Sequence, residues 1–481
     1  METMDEKPMI MWFRRDLRVA DNPALLHAAA GRAPVLPVYA VDWEHEDRWA
    51  PGRASRWWLS RSLERLSASL AGLGAPLVLV KGRPEEALAS LALRVGARAI
   101  AWNRLYEPFS RDLDRRVGAV FEREGVPWQT FNAGLLFEPD GQLSRSGRPF
   151  VQFTPYWRYC LSLPDPEPPL NGPAAFPGFE DAADLGGATV QAGDWRPQAG
   201  SFAWEPGEKG AQRRLDEFVE CCLAAFETGR DLPGREGTSR LSPHLHFGEI
   251  GPRQVWQAVR DAFSAAGASK RRPALPADPA AAGSGPFLRQ LGWREFAHYL
   301  LYHYPWIPDE PFRPEFAGFP WQDDPAGLGA WEWGTTGYPL VDAAARQLLA
   351  EGWVHNRARL VSASFLTKDL LIPWQDGAAW YWDRLVDADL ANNTLGWQWT
   401  AGSGPDAAPY FRVFNPALQA RRFDADCAYV RRWRSEDPDS PEPIVDHGEA
   451  RAKALAAFRG LRHDRAARGL RSLPLPTDME M

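Results

Sequence analysis

Short apolar runs alternate with segments of helical period over the first quarter of the chain. Met9–Phe13, Val35–Val41, Leu77–Val80 and Ala97–Trp102 are apolar runs of strand length, and Arg56–Leu73 among them repeats apolar residues at helical spacing. Runs without a polar face suit strands covered on both sides, and strands separated by helices predict a parallel sheet. The expected architecture is a Rossmann-like doubly wound α/β domain over residues 1–132. The first strand leads into Arg14-Arg15-Asp16-Leu17-Arg18 and not into G-x-G-x-x-G, so no dinucleotide site is expected at its end.

Between Phe131 and Phe202 the periodicity fails, and eight prolines from Pro155 to Pro197 punctuate the chain. A surface connector is expected over residues 133–200, with one short helical segment at Phe153–Leu161. Helical patterns dominate residues 201–481 and predict an all-α domain. Ser242-Pro243 and Gly251-Pro252 are helix starts, because proline at the first helical position gives up an N–H that has no partner there anyway. Trp353–Ile372 reads as one helix ended by Pro373, and the Ala/Pro/Gly-rich stretch Ala265–Gly285 as an exposed loop.

With 481 residues, two domains are expected. The opening Met1–Phe13 carries acids where a signal peptide needs basic residues, and no run of 18 apolar residues occurs. A cytoplasmic protein is the expectation, with no membrane segment. The four cysteines show no metal-like spacing, so no metal site is expected, and His244 and His246 at a helix start read as structural. A net charge of −7 means that any nucleic-acid contact must come from a local basic face. Arg357, Arg412, Arg421, Arg422, Arg431, Arg432 and Arg434 can supply one, given the aromatics nearby; the other reading is a solvated charge run. The 23 tryptophans against 6 methionines are unusual; most serve as core, and the excess suits a protein that handles electrons.

The densest candidate chemistry is Asp387–Trp399, DADLANNTLGWQW. Two acids at i, i+2, two asparagines and two tryptophans leave little apolar volume, so the stretch reads as a site or as a helix-capping segment. Thr238, Ser239, Arg240, Leu241 and Ser242 precede a helix start and make either an anion site or an ordinary N-cap box. Asn356, Arg359 and Leu360 fall at i, i+3 and i+4 and share a helix face.

DADLANNTLGWQW and the following Gly404–Pro416 closely resemble the flavin-binding core of the photolyase and cryptochrome family. So do Trp12–Arg18, Glu236–Ile250, Gln290–Phe296 and Thr336–Leu348, in the family's order along nearly the whole chain. The resemblance implies bound FAD, fully reduced in its active form, held by Phe226, Thr238–Ser242, Phe287, Arg294, Asn356, Arg359, Asp387, Asp389 and Asn393. Phe226 stands where the family commonly has tyrosine. Arg359 resembles an arginine that pairs with Asp387, and Asn393 a side chain facing flavin N5. Trp321, Trp374 and Trp397 resemble an electron-transfer chain that re-reduces the excited flavin from the surface. Gln290, Trp293, Asn356, Arg357, Leu360 and Trp399 resemble residues that receive a flipped thymine dimer.

The implied activity is light-driven repair of cyclobutane pyrimidine dimers in UV-damaged DNA, by a monomer most like the bacterial class I enzymes. The alternatives are a cryptochrome photoreceptor or a (6-4) photoproduct photolyase. Gln290 and Leu360 depart from the usual Glu and Met of pyrimidine-dimer enzymes. Asn356 and Leu360 supply no histidine pair for (6-4) chemistry, and the chain ends soon after its last helical pattern, without a long signalling tail. Trp102–Asp114 looks more like the deazaflavin type of antenna domain than the folate type, since Phe109 and Ser110 stand where folate binders carry Asn-Glu; the antenna can also be absent.

Overall fold

A computed structural model describes residues 7–42, 49–190, 192–268, 285–406, 411–434 and 441–467. Strands β1 (Met9–Phe13), β2 (Val35–Val41), β3 (Val78–Lys81), β4 (Ala99–Asn103) and β5 (Trp128–Phe131) form one parallel sheet ordered β3-β2-β1-β4-β5. β1 shows why its run is wholly apolar: Met9, Met11 and Phe13 enter one buried cluster while Ile10 and Trp12 enter the one on the opposite face. Helices Pro23–Ala29, Arg53–Gly72, Pro84–Val95 and Pro108–Arg123 make the crossovers. Three of these four carry proline in their first turn, as do Pro252–Ala268, Pro286–His303, Pro325–Trp333 and Pro339–Glu351 later in the chain.

β5 escaped the sequence reading because an edge strand needs little burial, and its Trp128 and Gln129 are exposed. β4 ends one residue later than expected, on Asn103, whose buried amide donates to Asp16 Oδ2 at 2.5 Å and Asn22 Oδ1 at 2.7 Å. The arginines after β1 are clamps. Arg18, 1% exposed, donates to the Gly248 carbonyl of the helical half at 2.9 Å, and Asp21 pairs with Arg253 of that half at 2.7 Å.

The connector holds the helix Phe153–Cys160 and a 3-10 turn at Glu180–Asp184, and bridges the sheet at Val35–Gly178. Only glycine fits at 178, where a Cβ would lie 2.1 Å from the Gly74 carbonyl oxygen. The helix Pro252–Ala268 covers the start of the expected Ala265–Gly285 loop; residues 269–284 lie outside the described residues, as do 407–410 of the Gly404–Pro416 motif. Among the described residues, no helix is long and apolar enough to cross a membrane.

The helical half packs Pro286–His303, Pro339–Glu351, Trp374–Arg384 and Leu390–Ala401 around one large core. Trp353–Ile372 is not a single helix. Asn356–Ser364 is α-helical and passes into a π-helical turn at Phe365–Asp369, with Leu371 left-handed at φ 55°. The wide turn aims two buried polar groups that a straight helix would misplace: Lys368 donates to the Ala401 carbonyl, and Asp369 Oδ1 meets His447 Nδ1 at 2.5 Å.

Burial pushes the Asp369 carboxyl up to about 6, against the opposing pull of His447. Its folded value lies above its unfolded one, so this group's contribution to stability falls as pH rises from about 4 to about 6. Asp369→Asn, which keeps an acceptor for His447, is therefore expected to raise stability by about 1–2 kcal/mol at pH 8 and not at pH 4. Chemical denaturation at the two pH values checks this; equal effects at both would refute it.

Candidate functional site

A cavity of about 350 Å³ opens within the helical half. One end is the loop Thr238–Ser242. Arg240 is left-handed there, at φ 51°, and its guanidinium carbon sits 4.2 Å from the ring centres of both Phe202 and Trp353. Its Nη1 pairs with the fully buried Glu351 at 3.0 Å. Anchored by that side chain, the loop presents the Thr238, Ser239 and Ser242 hydroxyls at the cavity, with Leu241 packed beneath. Phe226 and Phe287 wall this end edge to face, 5.2 Å apart. Phe226 brings no hydroxyl. Arg230, which the sequence reading missed, also lines the cavity, its guanidinium 5.5 Å over Phe226.

Asp389 caps the Leu390–Ala401 helix by accepting from the Asn392 N–H at 2.8 Å. The cap fixes the turn that carries Asn393. Asn393 Oδ1 accepts from Arg359 Nη2 at 2.7 Å and its Nδ2 donates to the Ala378 carbonyl at 3.1 Å, which sets the amide's orientation. The expected Arg359–Asp387 pair is not formed. Arg359 spends its hydrogen bond on Asn393, while Asp387 is bonded by Ser242 and feels Arg359 only as a nearby charge. Burial wins over both and raises the Asp387 carboxyl, whose Oδ1 is buried without a partner.

Gln290, Trp293, Arg294 and Asn356 reach the same cavity. Trp293 is stacked on Phe153 with ring centres 3.9 Å apart, and Arg294 donates to the Gly134 carbonyl at 2.8 Å. Among the described residues, the Gln290 amide makes one bond, a long one of 3.4 Å to the Pro286 carbonyl. The remaining expected substrate residues, Arg357, Leu360 and Trp399, lie outside the lining. Arg357 is turned to Asp231 at 2.7 Å and over Phe423.

Trp397 stands one turn beyond Asn393 on the same helix, so the two share a face. It is 1% exposed, and its ring meets Tyr381 at 5.2 Å and Trp331 at 6.0 Å. Trp331 in turn lies 5.1 Å from Trp380. These neighbours carry no motif that the sequence would reveal. Trp374 is buried and Trp321 half-buried on Phe319 at 4.4 Å. Of the arginines, Arg412, Arg421, Arg422, Arg431 and Arg434 are exposed, while Arg432 leans on Glu236 and Glu351.

A second cavity, of about 520 Å³, lies beside the carboxyl ends of β1 and β2, where Trp12, Tyr39, Trp49 and Trp382 supply aromatic surface and Arg83 and Arg116 charge. Phe109 and Ser110 line it as well.

The main cavity fits FAD. Hydroxyls and a left-handed loop suit a diphosphate, aromatic walls suit planar rings, and Asp387 Oδ1 has an unfilled acceptor for a ligand N–H or hydroxyl. Residues 9–174 match the family model described as DNA photolyase, and residues 287–436 the FAD-binding domain of DNA photolyase. The chain is 39% identical to a deoxyribodipyrimidine photo-lyase of Agrobacterium fabrum, over 95% of this chain and 98% of that one. It is also 39% identical to cryptochrome-1 of Arabidopsis thaliana, over 91% of this chain and 64% of the relative. The crystal structure of a bacterial class III photolyase from Agrobacterium tumefaciens superposes with a TM-score of 0.85 at 37% identity, covering 96% of this chain and 99% of that one.

Fold and site thus define a FAD-binding flavoprotein with an α/β domain ahead of its helical cofactor domain. The chain belongs to the DNA photolyase and cryptochrome family. The class I expectation is not supported: relatives as similar as these include a class III photolyase.

Proposed function

We propose that the protein is a DNA photolyase that splits cyclobutane pyrimidine dimers under blue or near-UV light. One observation carries this reading: Gln290, Trp293 and Asn356 face the same cavity as Asn393 and Asp387, so a base drawn into its mouth meets aromatic and amide surface beside the cofactor. When bound and reduced, FAD supplies one electron to the lesion and takes it back after the two cyclobutane C–C bonds open, with no net redox change.

The protein's own work is binding and orientation. Trp293, braced by Phe153, offers a face on which a flipped base stacks. Gln290 and Asn356 offer amide donors and acceptors to its polar edge. Trp397, buried one turn from Asn393, is the first donor for restoring the reduced cofactor, with Trp374 and Trp321 beyond it. The exposed arginines of residues 412–434 grip phosphates in spite of the negative total charge. The 520 Å³ cavity takes a planar aromatic antenna of deazaflavin type. The protein acts as a cytoplasmic monomer.

Repair is tested on a single-stranded oligonucleotide carrying one thymine dimer, incubated with the reduced FAD-loaded protein in light and in darkness. Recovery of thymine absorbance is expected in light alone. Normal FAD binding and photoreduction without recovery would sink dimer repair and favour the cryptochrome reading.

A further inference from the structure

Where the two halves meet, Arg15 and Glu107 of the α/β half face His246, His298 and Asp389 of the helical half. The side chains of Glu107, His246, His298 and Asp389 are each 9% exposed or less. Asp389 Oδ1 is taken by Asn392, through its backbone N–H and its Nδ2, both at 2.8 Å. Asp389 Oδ2 faces His298 Nε2 at 3.3 Å and His246 Nδ1 at 3.7 Å. The other His298 nitrogen, Nδ1, stands 3.0 Å from the Arg294 carbonyl oxygen. Both ring nitrogens of His298 therefore point at acceptors, and only an imidazolium can donate from both.

The charges around this ring balance. Arg15 pairs with Glu107, and an imidazolium at His298 pairs with Asp389. His246 stays neutral, since burial pulls it down. Arg294 and Glu295, on the same helix as His298, are paired with each other at 3.3 Å; burial pushes the Glu295 carboxyl up to about 7 against the pull of Arg294 and His298, so this pair is fully charged only above that pH, and the balance holds there. Glu107, His298 and Asp389 also lie close enough together to ligate a metal, but both carboxylates already have cationic partners and need no ion. Asp389, His246 and Arg294 line the main cavity, so the balanced array is part of the cofactor's wall.

We propose that His298, as a buried imidazolium, is a positioning residue that holds Asp389 ionised and in place at the FAD cavity, with Arg15 and Glu107 completing the charge balance from the α/β half. The inference concerns cofactor binding and holds whichever lesion or signal the protein serves. Deprotonating His298 leaves one net negative charge beside an anionic cofactor and removes a donor from Asp389, so FAD binds less tightly and its reduced, anionic form is disfavoured. Burial pulls His298 down, but the Asp389 carboxylate outweighs it and the ring is held above its ordinary value. Its contribution is thus present at low pH and lost as pH rises through that raised value.

The test measures FAD affinity of the full-length apoprotein by fluorescence from pH 6 to pH 9, and the midpoint potential of the loaded protein, for wild type, His298→Gln and His298→Lys. Wild type is expected to lose roughly tenfold in affinity across the His298 titration. His298→Gln should bind roughly tenfold more weakly at pH 6, show no pH step and have a more negative potential, while His298→Lys recovers part of both. Loss of packing alone would weaken binding equally at every pH and keep the step. Nitrogen NMR of labelled histidines in wild type reads the same titration directly, so the question is decided even if His298→Gln does not fold. A wild-type protein with no pH step and a His298 ring neutral at pH 6 overturns the proposal, as does a His298→Gln variant with wild-type affinity, pH profile and potential.

Discussion

Trp397→Phe is expected to slow light-driven reduction of bound FAD roughly a hundredfold, about 2.7 kcal/mol in activation terms. Trp397 lies one helical turn from Asn393, on the face that meets the cofactor cavity, and is 1% exposed. Indole yields an electron far more readily than benzene, so phenylalanine keeps most of the packing against Tyr381 and Trp331 but removes the oxidisable ring. Bleaching of the oxidised flavin band under blue light, with an external reductant present, measures the effect. Repair by protein reduced chemically beforehand should be unchanged. Photoreduction at the wild-type rate would dismiss Trp397 as the first donor and leave it as core.

The second large effect is expected on the Thr238–Ser242 loop that lines the main cavity. Glu351, 0% exposed, accepts from the Phe202 N–H at 3.1 Å, Arg240 Nη1 at 3.0 Å and Gln347 Nε2 at 3.0 Å, with Arg432 at 3.5 Å. Glu351→Gln leaves Arg240, buried between Phe202 and Trp353, with only the half-exposed Glu236 at 3.2 Å as counterion, a loss near the lower end of the about 3–5 kcal/mol that follows when one member of a buried pair is removed. Because Arg240 anchors the left-handed turn, the protein is expected to be both less stable and depleted of FAD. Denaturant midpoints and the flavin-to-protein absorbance ratio after purification report the two losses. A variant with full FAD content and wild-type stability would show that the Thr238–Ser242 loop holds its shape without the buried pair.

These two sites differ in how far they could be read from the sequence. Asn393 and Trp397 sit four apart in one short motif, and helical periodicity alone puts them on one face. Glu351 and Arg240 are 111 residues apart and belong to no shared motif, so their pairing appeared only in three dimensions. Arg359 shows the limit from the other side. Its place on the helix was legible, but its partner was not: in the structure it bonds Asn393, and the implied pair with Asp387 is missing. The helix start at Ser242-Pro243 and the strands β1 and β2 were fixed by local signals, whereas the π-helical turn at Phe365–Asp369 follows from where Lys368 and Asp369 find partners.

By itself, the sequence determined the first four strands of the sheet, the doubly wound α/β half, the helical half, and the family with its FAD. Each of these is written in periodicity or in contiguous motifs, because a strand's two apolar faces and a helix's stripe are local demands on neighbouring residues. The tertiary structure alone decided which polar groups meet. It set Arg18 and Asp21 as clamps between the halves, drew Arg230 into the cavity, left Arg357 and Trp399 out of its wall, and gathered Arg15, Glu107, His298 and Asp389 from distant segments. The physical reason is that a buried charge must find a partner wherever the fold brings one, and sequence distance does not constrain that choice.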